Sequence, residues 1–196
     1  MPEEFAPSDR AAIDAVRERY GGGFVLFSGR HRYYKGIEYL VRAAKHIKAP
    51  VVIAGDGPEH KRCMALARDL GLTIAFPGTL SHDELVAHLH ACDVFAFPSV
   101  ARSEAYGISM LEAHAAGKPV VATTLGTGVE FVNIHGTTGL NVPPKNEEAL
   151  AAAINRLLGD PALCAQMGAA AKIRVETELH AETVARAEFD RYRKLV

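Results

Sequence analysis

Cysteine is scarce in this chain of 196 residues: Cys63, Cys92 and Cys164 are the only three. Their number is odd, their spacing is wide and no CxxC pair occurs, so they form neither a disulfide framework nor a zinc-ligand pattern; reduced core thiols in a cytosolic protein are the expectation. No apolar run approaches the ~18 residues of a membrane-spanning helix. No sign of charge prevails: Lys plus Arg number 22 and Asp plus Glu 23, a net charge of −1. That balance excludes the strongly basic field of a nucleic-acid binder. The opening MPEEFAPSDR is acidic and lacks an apolar stretch, so it does not read as a secretory signal. Several chemistry-bearing motifs are also missing. There is no GxxxxGK[ST], no GxSxG and no HExxH, and no GxGxxG at a strand–helix turn. Gly21-Gly22-Gly23 precedes a strand-like run instead of following one. Nine histidines are present, but the densest group, His82, His88 and His90, lacks metal-ligand spacing.

What is present is a globular composition, 48% hydrophobic and 23% charged, in a length that suits one domain. Short apolar runs alternate with helical patterns. The runs are Phe24–Ser28, Val51–Ala54, Thr73–Phe76, Val94–Phe97, Val120–Thr124 and Gly139–Val142; helix-like stretches lie near 36–47, 58–70, 82–91, 107–116 and 145–158. This alternation predicts βαβ units and an α/β fold: a Rossmann-like parallel sheet of about six strands with helices on both faces. Ser81, followed by His82, Asp83 and Glu84, reads as a helix N-cap, Pro58 as a first-turn residue, and Gly71 and Gly117 as helix stops. Residues 1–20 read as a linker with a short helix, 21–180 as the sheet domain, and 181–196 as the end of a helical tail that begins near Pro161, with a second helix from Ala181 to Lys194.

In open parallel sheets ligands bind beyond the C-terminal strand ends, so the residues after each run are the candidates. After the first comes Gly29-Arg30-His31-Arg32-Tyr33-Tyr34-Lys35-Gly36. Its Arg30 and Lys35 could hold phosphate oxygens, or the segment could be a solvated basic loop. After the second comes the tight turn Gly55-Asp56-Gly57-Pro58. After the fourth, a loop carries Glu104 and leads into an apolar helix bearing Glu112. A carboxylate so placed is costly to bury unless something donates hydrogen bonds to it; ribose hydroxyls are such donors. An exposed stripe, or a salt bridge to Lys118 or an arginine, would explain Glu112 equally well. The amides near Ala105, Tyr106, Gly107 and Ile108 form a helix start that suits an anion. Thr124-Leu125-Gly126-Thr127-Gly128 could touch a ligand or only turn the chain.

Taken in order, Gly29-Arg30, Lys35-Gly36, Ala54 to Pro58, Phe76-Pro77-Gly78-Thr79-Leu80, Phe97-Pro98-Ser99, Glu104 to Ala113, Gly117 to Val121 and Thr138-Gly139-Leu140 resemble the C-terminal, nucleotide-sugar-binding domain of the group 1 (family 4) glycosyltransferases of GT-B fold. Glu104 and Glu112 have that family's E-x7-E spacing, and the wording of several segments resembles bacterial enzymes of surface-polysaccharide synthesis. The resemblance implies a retaining transferase that moves a hexosyl group from a nucleoside-diphosphate sugar, GDP- or UDP-linked, to a glycan or lipid-linked acceptor. By resemblance Arg30 and Lys35 hold the diphosphate, Glu112 the ribose and Glu104 the sugar, while the 105–108 amides take the sugar or distal phosphate. Gly29, Gly55, Asp56, Gly57, Thr79 and Leu80 complete the donor site. Arg30, Lys35 and Glu104 would serve the reaction, with no metal and no cofactor. His31, Tyr106 and His114 depart from the family's usual apolar residue, Phe and Met.

The family has two Rossmann-like domains, so the resemblance further implies that residues 1–20 end an interdomain segment. An N-terminal domain would then hold the acceptor site and a catalytic histidine, and 181–196 would cross back to it. A cytoplasmic enzyme, peripheral to the inner face of the membrane when whole, is implied as well. The rival of another class is a non-catalytic nucleotide- or partner-binding module of the same fold; the joint presence of Arg30, Lys35, Glu104 and Glu112 argues against it. The missing glycine fingerprint argues against an NAD-type oxidoreductase.

Overall fold

The computed structural model describes residues 3–6, 9–180, 183 and 193. Six parallel strands, β1 (Val25–Ser28), β2 (Val51–Ala54), β3 (Ala75–Gly78), β4 (Val94–Phe97), β5 (Val120–Thr123) and β6 (Gly139–Val142), form one sheet in the order β3-β2-β1-β4-β5-β6. This is the doubly wound order whose direction reverses between β1 and β4, and the reversal opens a crevice beyond their C-terminal ends. The helices are α1 (Arg10–Arg19), α2 (Ile37–Ala43), α3 (His60–Asp69), α4 (His82–Ala91), α5 (Ile108–Ala115), α6 (Gly128–Val132), α7 (Glu147–Leu158) and α8 (Pro161–Thr177).

Strand side chains alternate between two cores, as the two-residue period of a strand requires. Leu26, Val52, Phe95, Phe97 and Val120 pack with α4, α5, α6 and the C-terminal half of α8. Val25, Phe27, Ile53, Val94 and Val121 pack with α2, α3 and α7. Phe24, Phe27, Phe95 and Phe97 are wholly buried; each contributes roughly 1.5–3 kcal/mol of transfer free energy. Such double-sided burial explains why these runs are continuously apolar.

Five of the six expected strands stand within one residue of their sequence bounds, or at them. The third does not: it lies at Ala75–Gly78, two residues past Thr73–Phe76, and none of its residues is fully buried. It is an edge strand, and only there can Pro77 sit without leaving a neighbouring carbonyl unpaired. Pro58 also falls outside its expected helix, in the turn before Glu59, which caps α3. Ser81 caps α4 in a full capping box with Glu84. Residues 10–19 form the expected short helix, and it packs on α4. His82 Nε2 lies 3.1 Å from Glu4 O, His90 Nε2 2.7 Å from Phe5 O, and His88 is bound to Tyr20 and to its own helix. The histidine cluster is thus spent on tertiary hydrogen bonds. Cys63 and Cys92 are buried and Cys164 is half-buried, all three unpaired; burial pushes the Cys92 thiol up to about 12 and the Cys63 thiol up to about 11. The helix expected from Ala181 to Lys194 lies outside the described residues, apart from two isolated positions.

Candidate functional site

The C-terminal ends of β1, β2, β3 and β4 carry two adjoining pockets that share Ser28, Gly29 and Leu85. One, about 450 Å³, is lined by Arg30, Gly55, Asp56, Gly57, Thr79 and Leu80. The other, about 570 Å³, is lined by Lys35, Ser103, Glu104, Ala105, Tyr106, Gly107, Ile108, Ser109 and Glu112. Every site residue expected from the sequence therefore falls on one continuous crevice at the switch point. Leu85, on α4, joins both pockets and was not foreseen; its position three residues beyond the β3–α4 turn is the only signal that could have found it.

After β1 the chain makes a 3-10 turn, Tyr33–Lys35, and Gly36 passes it into α2 with φ 63°. A Cβ at Gly36 would overlap the Pro98 carbonyl, so only glycine lets the two loops of the switch point approach this closely. The turn carries Lys35 beneath the β4 loop. Its Nζ lies 2.6 Å from Glu104 Oε2, over the faces of Phe97 at 5.1 Å and Tyr34 at 5.6 Å. Arg30 stands apart: it is exposed and forms no side-chain hydrogen bond or ion pair among the described residues.

After β4 the chain runs irregularly to Gly107, which starts α5 at φ 86°; a Cβ there would lie 2.9 Å from Phe97 Cζ. Gly107, Ile108 and Ser109, at the start of α5, line the crevice, and the free N–H groups of a helix's first turn carry partial positive charge. Glu104 is buried and fixed from three directions. Its Oε2 accepts from Ser99 Oγ at 3.0 Å as well as from Lys35, and its carbonyl accepts from Thr127 Oγ1 at 2.9 Å. Gly128 N donates to Ala105 O at 2.8 Å. The loop after β5, for which sequence left two readings open, is therefore a buttress for Glu104 and Ala105. Thr127, in this loop, and Ser99, just after β4, hold Glu104 in place; both stand in segments singled out in the sequence, but nothing there marked this contact.

For Glu112 the structure removes one of the open readings, the salt bridge. Lys118 is not its partner, since that ammonium donates to His90 O at 2.9 Å. Glu112 is half-buried, lines the pocket with Lys35, and accepts no hydrogen bond from another described residue. Burial raises its pKa above the usual carboxylate value; His82 and Lys35 oppose the rise. An acceptor so held has its lone pairs open to hydroxyl donors in the crevice. One wall of the site thus offers cationic donors, a helix N-terminus adds amide donors, and two carboxylates of different character stand between them. Among the described residues no three His, Cys, Asp or Glu side chains gather as metal ligands, and no helix is long and apolar enough to cross a membrane.

The family described as "Glycosyl transferases group 1" matches residues 9–174. The chain is 41% identical over 163 residues to D-rhamnosyltransferase WbpZ of Pseudomonas aeruginosa, an alignment covering 83% of this chain and 43% of that protein. It is 34% identical over 189 residues to O-antigen chain mannosyltransferase C of Escherichia coli, covering 96% of this chain and 51% of that protein. Among solved structures, Anabaena Alr3699/HepE in complex with UDP superposes with a TM-score of 0.86 at 23% identity, covering 98% of this chain and 55% of that one. The chain spans about half the length of the relatives it matches.

Proposed function

Because the chain belongs to the group 1 glycosyltransferases, we propose that it is the donor-binding half of a retaining transferase that takes a hexosyl group from a nucleoside-diphosphate sugar. The observation that carries this reading is the convergence of Arg30, Lys35, the α5 N-terminus and a half-buried, open Glu112 on one crevice. The diphosphate would lie against Arg30, Lys35 and the α5 amides, with the ribose hydroxyls donating to Glu112. Gly55–Gly57, Thr79 and Leu80 would line the base, and Glu104 would face the sugar.

Cleavage of the bond between the anomeric carbon and the diphosphate oxygen leaves negative charge on the departing phosphate. Arg30, Lys35 and the α5 dipole would stabilise that charge as it forms, without a metal ion; removal of one such donor is expected to cost ~10²–10³ in rate. Retention of configuration would follow if the acceptor hydroxyl bonds to the anomeric carbon on the face the diphosphate leaves, with its proton passing to the departing phosphate oxygen. The name of the O-antigen chain mannosyltransferase supports a surface-polysaccharide role; the acceptor would then be a glycan or a lipid-linked glycan. Binding of UDP by the Anabaena relative supports a nucleotide donor, UDP- or GDP-linked.

Calorimetric titration of GDP, UDP, ADP and dTDP into the chain, with and without EDTA, tests the reading. One preferred nucleotide, bound equally in EDTA and lost in Glu112→Ala, is expected. Absence of binding by all four, in this chain and in a longer protein containing it, would refute the donor site.

A further inference from the structure

Arg30 lies between two anchored residues. Gly29 N donates to Ala54 O at 3.2 Å, and His31 Nε2 lies 3.3 Å from the same carbonyl. His31 N donates to Asp56 O at 2.8 Å, while His31 O accepts from Glu59 N at 3.1 Å. A Cβ on Gly57 would stand 2.6 Å from His31 O, so the β2–α3 turn presses directly on this backbone. The His31 ring is wholly buried, with its Nδ1 3.1 Å from His60 Nδ1 and the two ring centroids 5.0 Å apart. A carbonyl only accepts, so His31 carries its proton on Nε2 and offers a lone pair at Nδ1; His60 Nδ1 must then be the donor.

We propose that His31 and His60 are a positioning pair that seats the Arg30 backbone so that its guanidinium meets the donor diphosphate, a role that rests on the donor-binding reading above. Neither ring lines the crevice. The exposed Arg30 side chain has no protein partner among the described residues, so its placement is set by the backbone on either side. Preorganising that backbone lowers the cost of ordering the guanidinium on the ligand. The pair also sets a pH limit. The titratable groups facing His31 are His60, on α3, and Asp56, in the β2–α3 turn; burial holds its pKa down, the Ala54 carbonyl and Asp56 oppose this, and His60 adds to it. A proton on His31 Nδ1 would set two N–H donors against each other and part the rings.

The test uses UDP, GDP, uridine and guanosine titrated into the wild-type chain, His60→Asn and His60→Leu, beside long-range ¹H–¹⁵N spectra of the imidazoles. Asparagine places an amide donor where Nδ1 stands; leucine fills the space without one. The expected results are an Nε2–H tautomer at His31, about tenfold weaker diphosphate binding in His60→Leu, wild-type affinity in His60→Asn, and equal nucleoside affinity in all three. Wild-type diphosphate affinity falls in acid, below the usual histidine range, and this fall is absent in His60→Leu. Equal diphosphate affinity in all three proteins, or equal weakening by Asn and Leu, overturns the pair's role and leaves the donor reading standing. Failure of UDP, GDP, ADP and dTDP alike to bind the wild type, in this chain and in a longer protein containing it, overturns the donor reading, and the pair's role with it.

Discussion

Lys35 Nζ and Glu104 Oε2 meet at 2.6 Å, with only 13% and 9% of their side chains exposed, and the Ser99 hydroxyl completes the same oxygen at 3.0 Å. The lysine that would hold phosphate and the carboxylate that would face sugar are therefore one electrostatic unit. Removing one partner of such a pair leaves the other buried and uncompensated. Glu104→Ala is expected to lower unfolding free energy by up to about 3 kcal/mol, read from urea denaturation. Glu104→Gln, which keeps the Ser99 contact, should cost less. Equal stability of Glu104→Ala and the wild type would show that the pair is too solvated to matter.

Arg30→Ala and Lys35→Ala should weaken binding of a nucleoside diphosphate by about 1.5–3 kcal/mol each, the usual worth of a hydrogen bond to a charged group. Binding of the corresponding nucleoside should change little. Calorimetry on matched pairs, such as UDP against uridine, separates the two. Equal loss for both ligands would remove these cations from the diphosphate.

Glu112→Ala should weaken nucleoside as well as nucleoside diphosphate, because the ribose is common to both. Its fold should survive, since the carboxylate accepts no hydrogen bond from another described residue and burial already raises its pKa. A 2′-deoxynucleotide should distinguish wild type from variant less well than the ribonucleotide does. Unchanged affinity in Glu112→Ala would assign the ribose elsewhere.

Gly107→Ala should both destabilise the domain and impair donor binding. A φ of 86° strains any residue with a Cβ, and that Cβ would lie 2.9 Å from Phe97 Cζ and 3.1 Å from Met110 Cε. Strain of this kind costs about 1–3 kcal/mol. A variant as stable as the wild type, measured by thermal unfolding, would mean that the α5 start tolerates another backbone path.

Acid should destabilise the fold through His114. Its ring is wholly buried, and among the described residues neither nitrogen has a hydrogen-bond partner. Burial pushes its pKa down to about 4; nearby Asn133 opposes the shift and Arg174 adds to it. In the unfolded chain the same group takes up its proton near pH 6.5, so between about 6.5 and 4 the unfolded state binds more protons. The stabilising contribution is complete above pH 6.5 and is lost as pH falls through this window, to the extent of about 3 kcal/mol. His31, His88 and His90, also lowered chiefly by burial, act in the same direction. Urea unfolding at pH 7.5 and 4.5 should show the loss, and His114→Met should reduce it. An unaltered pH slope in His114→Met would exclude this residue.

The alternation of strands and helices is legible in the linear chain, because residues buried on both faces of a parallel sheet are continuously apolar and residues such as Ser81 and Gly117 favour helix ends. The sequence also placed Arg30, Lys35, Glu104 and Glu112 after the right strands, since the loops at one end of such a sheet necessarily share an edge. Tertiary structure decided what local pattern could not carry. The shift of β3 to Ala75–Gly78 follows from its place at the sheet edge, where Pro77 leaves no carbonyl unpaired. Pairing of Lys35 with Glu104, rather than of Glu112 with Lys118, depends on how closely Gly36 lets the β1 and β4 loops approach. The parts played by Ser99, Thr127 and the His31–His60 pair depend on contacts spanning 5 to 29 residues of sequence. A hydroxyl or an imidazole gains its partner only when separate strands bring it there, so these residues carry no mark of their roles in the linear chain.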